Sequence, residues 1–284
     1  MNLARDISTK RFWRGFTFHS LSALGAIAAV VGIWDAFDPD TLEKVGYPET
    51  LWPVAAALVY ACIRSYPYPI EQQYSTSNTT VRLVTGDLFD QPTSLVIGMA
   101  DTFDTLPPNI IAAGSVQGQF LDRVYSDDVS TLDAALSVAL ADVAPIGTLA
   151  KVGKTVTYPI GTVATIRPAG RKQYFCLAYT AMDVNTNVHC TIGFLWEALT
   201  SLWDEVREQS NGEPVAIPVI GLGQSGMSHV LPIQDSIRII ILSFMFASRQ
   251  RRVCERLDVV LRPIDEKKVD MLEIQAFMKS LRRS

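Results

Sequence analysis

Charge is scarce in this chain: Asp, Glu, Lys and Arg make up 19% of its 284 residues, against about a quarter in an ordinary soluble domain. What charge there is leans acidic, 25 basic residues against 29 acidic ones. A formal net charge of -4 leaves no basic face for a polyanion, so no nucleic-acid partner is expected. Cysteine is sparse as well. Cys62, Cys176, Cys190 and Cys254 stand far apart without a CxxC pair, which excludes a disulfide framework and a cysteine-built zinc site and fits reduced, buried thiols. His19, His189 and His229 are too few and too dispersed to assemble a metal centre, and no metal is expected. Internal repeats and low-complexity tracts are also missing.

Apolar residues are what the chain has in excess, at 48% of the sequence and a mean hydropathy of +0.18. The excess is concentrated near the N-terminus. Gly15 to Trp34 runs for twenty residues without a formal charge. As a helix it would extend about 30 Å, the thickness of a bilayer's hydrocarbon core. A second run, Thr50 to Ile63, would make only about 21 Å of helix. Arg64 can snorkel and Tyr66 and Tyr68 can sit among headgroups, which lengthens its effective span. Arg5, Lys10, Arg11 and Arg14 precede the first run, whereas Lys44 is the one basic residue between the runs. The positive-inside rule therefore places both ends of a two-helix hairpin in the cytoplasm.

Two soluble alternatives compete with that reading. A signal peptide shares the basic start and apolar middle, but no small-x-small cleavage site follows and a second apolar run does. Buried core helices of a soluble protein are the other, favoured by the shortness of the second run. Within the first run, Gly25/Ala29 and Ala28/Gly32 have the small-xxx-small spacing that lets helix backbones approach. The expected organisation is a basic cytoplasmic segment over 1–14, a transmembrane hairpin over 15–66, a Pro- and Ser-containing linker over 67–78 and one α/β domain over 79–284.

In that domain, short β-branched runs alternate with amphipathic ones. Strands are predicted at 81–84, 95–99, 155–166, 174–179, 215–220 and 257–261, and helices at 117–125, 132–141, 191–209, 233–251 and 268–281. Ile237 to Phe246 is apolar enough to imitate a span, but Arg238 interrupts it, and a buried core helix is the reading.

Three glycine-bearing turns could carry chemistry. Gly86-Asp87-Leu88 follows a strand, where an acid can accept hydrogen bonds from a ligand or simply close its own turn. Gly114-Ser115-Val116-Gln117-Gly118-Gln119 enters a helix, whose first amides and dipole suit phosphate; an ordinary serine cap is the competing role. Gly221-Leu222-Gly223-Gln224-Ser225-Gly226 puts three glycines in six positions, a loop able to wrap an anion with its backbone. Its spacing is near that of a dinucleotide fingerprint, but it falls late in the domain, which argues against an NAD-dependent dehydrogenase. Together the turns describe a pocket for a nucleotide diphosphate of the adenosine diphosphoribose type.

With TGDLFD at 85–90, GSVQGQF at 114–120 and PVIGLGQSG at 218–226, this part of the chain resembles a macro domain. The N-terminal apolar runs and IGMADTFDT at 97–105 make the whole similar to the membrane-bound ThsA effectors of type II Thoeris anti-phage defence. The resemblance implies a three-layer α/β/α fold with a mixed sheet. It implies a TIR-domain partner that makes an ADP-ribose derivative, histidine-ADP-ribose in this subtype. Binding of that signal by the macro domain would drive homo-oligomerisation, disruption of the inner membrane and abortive infection. By position, Asp87 would meet the adenine, backbone amides around Ser115 to Gln119 and Leu222 to Gly226 would hold the pyrophosphate, and Leu88 and Gly221 would also bind the ligand. Hydrolytic macro domains commonly carry an Asn where this chain has Met99-Ala100-Asp101, and an aromatic residue where it has Ser225. A receptor without catalytic residues is therefore expected, with Asp101 or Asp104 contacting the far end of the ligand. The alternative is a membrane-tethered hydrolase of ADP-ribose conjugates in which one of those two acids activates water.

Overall fold

The computed structural model describes residues 10–37, 47–65, 70–168, 170, 172–221 and 231–282. The chain divides into two compact units, Met1–Pro69 and Ile70–Ser284.

The first unit contains two helices. Helix α1 (Lys10–Phe37) has 28 residues, and its stretch Phe12–Phe37 is, among the described residues, the one helix long and apolar enough to cross a bilayer by length and composition. Helix α2 (Tyr47–Arg64) contains Pro53, and its apolar part, Leu51–Arg64, is shorter. The two pack antiparallel. A Cβ on Gly15 would sit 3.4 Å from Cβ of Ser65, and the His19 ring meets Tyr60 edge-on at 6.3 Å. Phe12, Ala57 and Ala61 are buried in this contact while Trp34 and Trp52 are exposed. Gly25 and Gly32 have open space where a Cβ would be, so the small-xxx-small positions take no part in pairing α1 with α2.

The second unit is a three-layer α/β/α domain. Its strands are β1 (Ile70–Tyr74), β2 (Thr79–Thr85), β3 (Ser94–Ala100), β4 (Gly147–Thr148), β5 (Val156–Thr157), β6 (Val163–Ile166), β7 (Tyr174–Met182), β8 (Val188–His189), β9 (Val215–Pro218) and β10 (Arg256–Leu261). The main sheet runs β1-β2-β10-β9-β3-β7-β6, with β8 on β7, while β4 and β5 form a separate ribbon. Strands β2, β10, β9, β3 and β7 are parallel, and the edge pairs β1/β2 and β6/β7 are antiparallel. Five strands thus end on one edge of the sheet.

Alternation along the strands separates two cores. Val96, Phe175, Leu177, Ile217 and Val259 face one side, with helices α5 (Ile192–Gln209), α6 (Ile233–Gln250) and α7 (Met271–Ser280). Leu95, Ile97, Met99, Cys176 and Val260 face the other, with α3 (Val116–Tyr125) and α4 (Val129–Ala139). Trp203 of α5 is fully buried, and its Nε1–H reaches Ser243 Oγ of α6 at 2.9 Å, which satisfies the polar end of the largest core side chain. The run Ile237–Phe246 lies in α6, where Ile237, Ile240, Ile241, Phe244 and Met245 are buried, as a core helix requires.

Three expectations change. The stretch read as a linker contains β1, an edge strand whose Ile70 and Tyr74 are buried and whose Tyr74 hydroxyl donates to the Met278 carbonyl at 2.8 Å. The single strand expected over 155–166 is two short ones, β5 and β6, separated by a turn in which Gly161 has φ +89. The C-terminal helix expected from 268 begins at Met271, capped by Asp270, after a 3-10 turn over Pro263–Lys268.

Candidate functional site

A cavity of about 620 Å³ opens where the five parallel strands end. Ligands of open α/β sheets bind at that edge, because loops there are free to vary and helix N-termini point at it. Each strand end contributes: Gly86–Phe89 after β2, Gly98–Ala100 of β3, Tyr179 and Thr180 of β7, Pro218–Gly221 after β9, and Leu261–Pro263 after β10. The floor is apolar and close-fitting. A Cβ on Gly98 would come within 2.6 Å of the Tyr179 ring, so glycine at this strand position makes room for the aromatic wall.

Asp87 and Leu88 line this cavity. The Asp87 carboxylate already serves two partners: Oδ1 accepts the Phe89 N–H at 2.9 Å, closing the turn, and Oδ2 meets the Arg123 guanidinium at 2.8 Å. Arg123 also lies 5.2 Å over the Phe89 ring. A carboxylate has about four acceptor positions, so this arrangement orients the group and leaves it able to accept from a ligand.

The entry to α3 forms another wall. Ser115 Oγ accepts the Gly118 N–H at 3.0 Å and donates to the Ala112 carbonyl at 2.7 Å, so the hydroxyl is committed to capping. Val116 and Gln117, at the first two helical positions, have no acceptor within the helix for their amides. Both residues and Gln119 line the cavity. Gly118 does not, which corrects its reading as a ligand contact. A Cβ there would sit 2.5 Å from the Ala112 carbonyl oxygen, so Gly118 is present for close packing of the helix onto its own entry loop.

The two acids expected at the far end of the ligand separate. Asp101 is buried and absent from the cavity wall; its Oδ1 accepts the Met182 N–H at 2.9 Å and its own N–H donates to Thr180 at 2.8 Å. Burial pushes its carboxyl up from the ordinary value, partly offset by the Met182 N–H. The pairing register between β3 and β7 shifts between Met99 and Ala100, which turns Asp101 toward β7. Asp104 does line the cavity, at 2% exposure. Its carboxylate accepts from Thr102 Oγ1 at 2.7 Å and Lys154 N–H at 2.7 Å and is ion-paired with Lys151. Its carbonyl accepts from the Gln117 side-chain amide. Asp104 is thus bonded on both carboxylate oxygens, and Asp101 does not line the cavity.

Gly221 lines the cavity at φ +87, a conformation that favours glycine, and the preceding Ile220 carbonyl is held by Ser236 Oγ of α6 at 2.6 Å. The remaining predicted positions of that loop, Leu222, Gly223, Gln224, Ser225 and Gly226, lie outside the described residues.

Sequence reasoning missed the wall after β10. Arg262 and Asp265 line the cavity, with Arg262 Nε 2.7 Å from Asp265 Oδ2 and Lys268 Nζ 2.9 Å from Oδ1. Burial opposes ionisation of Asp265, but hydrogen bonds and charge from Lys268 and Arg262 outweigh it and hold the carboxyl below its ordinary range. Leu261 pairs with Thr85, and the Gly86 N–H donates to the Leu261 carbonyl at 3.0 Å, so Arg262 flanks the Asp87 turn. The signal for it was a basic residue one position past a predicted strand. Among the described residues, no group of three His, Cys, Asp or Glu side chains could hold a metal.

A three-layer domain with this mixed strand order and a cavity between strand ends and a helix N-terminus has macrodomain architecture. Residues 81–262 match the family described as "Thoeris protein ThsA, Macro domain", and the chain belongs to that family. It is 24% identical to the Thoeris protein ThsA of Bacillus amyloliquefaciens (strain Y2) over 218 residues, covering 72% of this chain and 69% of that protein. Solved structures similar to it include the Oceanobacillus iheyensis macrodomain with ADP (13% identity, TM-score 0.48, 76% of this chain and 97% of that one). Another is Thermosipho africanus DarTG in complex with ADP-ribose (10% identity, TM-score 0.43, 80% of this chain and 55% of that one).

Proposed function

We propose that this protein is a membrane-anchored effector of Thoeris anti-phage defence whose macro domain receives an ADP-ribose-derived signal. The carrying observation is the cavity itself. At about 620 Å³ it has the volume of a small-molecule site, with an apolar floor and the Val116 and Gln117 amides at a helix N-terminus on its wall. In this reading Asp87 and Leu88 receive the adenine, and the α3 entry together with the loop from Gly221 to Gly226 receives the diphosphate. The signal is histidine-ADP-ribose made from NAD by a TIR-domain partner. Helices α1 and α2 form a hairpin in the cell inner membrane with the macro domain in the cytoplasm. Signal binding favours a homo-oligomer, whose assembled helices disrupt the membrane and abort infection. Such a switch requires the ligand to prefer the assembled state over the monomer.

The absence of Asp101 from the cavity wall and the partners on both carboxylate oxygens of Asp104 favour a receptor over a hydrolase. Calorimetric titration of the protein with ADP-ribose, NAD and histidine-ADP-ribose, followed by chromatography of each mixture, tests this. Binding with the ligand recovered intact is expected. Consumption of the ligand would make the protein an enzyme, and absence of binding to all three would remove the nucleotide reading.

A further inference from the structure

Beneath the cavity wall lies a lysine with a fully buried side chain, for which ligand binding by itself gives no role. Lys151 belongs to the connection between β4 and β5, and its side chain is 0% exposed. Its ammonium pairs with the Asp104 carboxylate and also donates to the Val152 carbonyl at 3.2 Å. The connection is moulded around this pair. Gly153 has φ +84, and a Cβ there would fall 2.3 Å from Asp104 Oδ1. Lys154 closes the other side, its N–H on Asp104 and its Nζ 2.6 Å from Asp133 of α4, which also accepts from Thr105 Oγ1 at 2.5 Å. Asp101 stands nearby, within reach of the Lys151 charge.

The charge balance of this region is unusual for an anion site. Asp104 is an acid in the cavity wall, two residues from Thr102 and held to Gln117 at the mouth of α3, where the helix dipole is positive. Unpaired, its carboxylate would oppose a diphosphate at that place through a medium of low dielectric, where charges interact strongly. Lys154 donates a neutral amide to Asp104 and spends its own charge on Asp133, so Lys151 is the group that neutralises Asp104.

We infer that Lys151 is a positioning residue that masks Asp104, and so lets the wall of this cavity accept a diphosphate. The inference rests on the nucleotide reading of the site. Lys151 acts through Asp104 and touches no ligand. The role divides into two parts that respond differently to mutation: pinning the loop, which any well-packed neutral pair can do, and cancelling a charge, which matters only while Asp104 remains ionised.

The test is titration of the full-length protein in detergent with ADP-ribose and with adenosine, which lacks phosphate. Lys151→Met should weaken ADP-ribose binding at least tenfold and change adenosine binding little. Adding Asp104→Asn in the same chain should return ADP-ribose affinity to within about threefold of wild type. Asp101 and Asp133 are the other acids of this cluster, and both are present in every variant compared. Equal weakening of both ligands, or no rescue by Asp104→Asn, would overturn the inference and leave Lys151 a purely structural residue. If Lys151→Met does not fold, the double variant decides: near wild-type ADP-ribose affinity supports masking, and a tenfold loss overturns it. Wild-type protein that binds neither ligand would instead count against the nucleotide reading itself.

Discussion

Asp87 performs two jobs that a single substitution can separate. Its Oδ1 closes the turn to Phe89, and its Oδ2, paired with Arg123, keeps acceptor capacity for the cavity that the residue lines. Asp87→Asn keeps a carbonyl oxygen for the Phe89 N–H but puts an amide donor where a carboxylate oxygen stood. The Arg123 contact it also loses is partly exposed, so its contribution to stability is small. ADP-ribose affinity should fall about tenfold, near 1.4 kcal/mol, with the melting temperature almost unchanged. Titration and thermal denaturation of the same sample check this, and an unchanged affinity would remove Asp87 from adenine recognition. The turns containing Asp87, Ser115 and Gly221 were legible in sequence because turn and cap chemistry is local. Asp101 was misplaced because its direction depends on the register shift between β3 and β7, and nothing in IGMAD encodes a slip relative to a strand some eighty residues away. Arg262 and Lys151 were missed for the same reason, since each enters the site through a long-range contact, with Thr85 pairing Leu261 and Asp104 pairing Lys151.

At the scale of elements, the α3 entry owes its position to a missing side chain. Gly118 lets the helix approach the carbonyls of Ala112 and Ala113 more closely than any Cβ permits, since a Cβ there would fall 2.5 and 2.7 Å from the two oxygens. Gly118→Ala must therefore push the helix outward and carry the Val116 and Gln117 amides with it. A loss of about 1–3 kcal/mol in stability is expected from such overpacking, together with weaker ADP-ribose binding. Thermal melts and titration would detect both, and a variant as stable and as tight-binding as wild type would refute the packing role. Long elements were read closely from periodicity: α5 and α6 match their expected ranges within a residue. Short ones were not. Strands β4 and β8 have two residues each, too few for any period to register, and β1 was hidden by the prolines that introduce it.

The whole chain combines a unit with a large core and a unit whose apolar residues face outward. In α1, Val30, Ile33, Trp34 and Phe37 are 60% exposed or more, a surface that water would solvate poorly. The 70–284 unit, by contrast, has two buried cores of its own. Full-length protein should sediment with membranes and resist extraction by high salt, whereas residues 70–284 expressed alone should remain in the supernatant and bind ADP-ribose with similar affinity. Fractionation of cells expressing each form is the measurement. Full-length protein in the soluble fraction would end the membrane reading without touching the ligand reading.

One feature of the sheet bears on the order of events during synthesis. Strand β10, among the last elements of the chain, lies between β2 and β9 and hydrogen-bonds to both. Until residues 256–261 have left the ribosome, β2 and β9 have no shared neighbour, and the turn after β2 lacks the Leu261 carbonyl that holds Gly86. The apolar α1, by contrast, emerges before every strand of the sheet. A nascent chain thus exposes its apolar helix long before it has a finished pocket, and an incomplete chain cannot yet hold a ligand there.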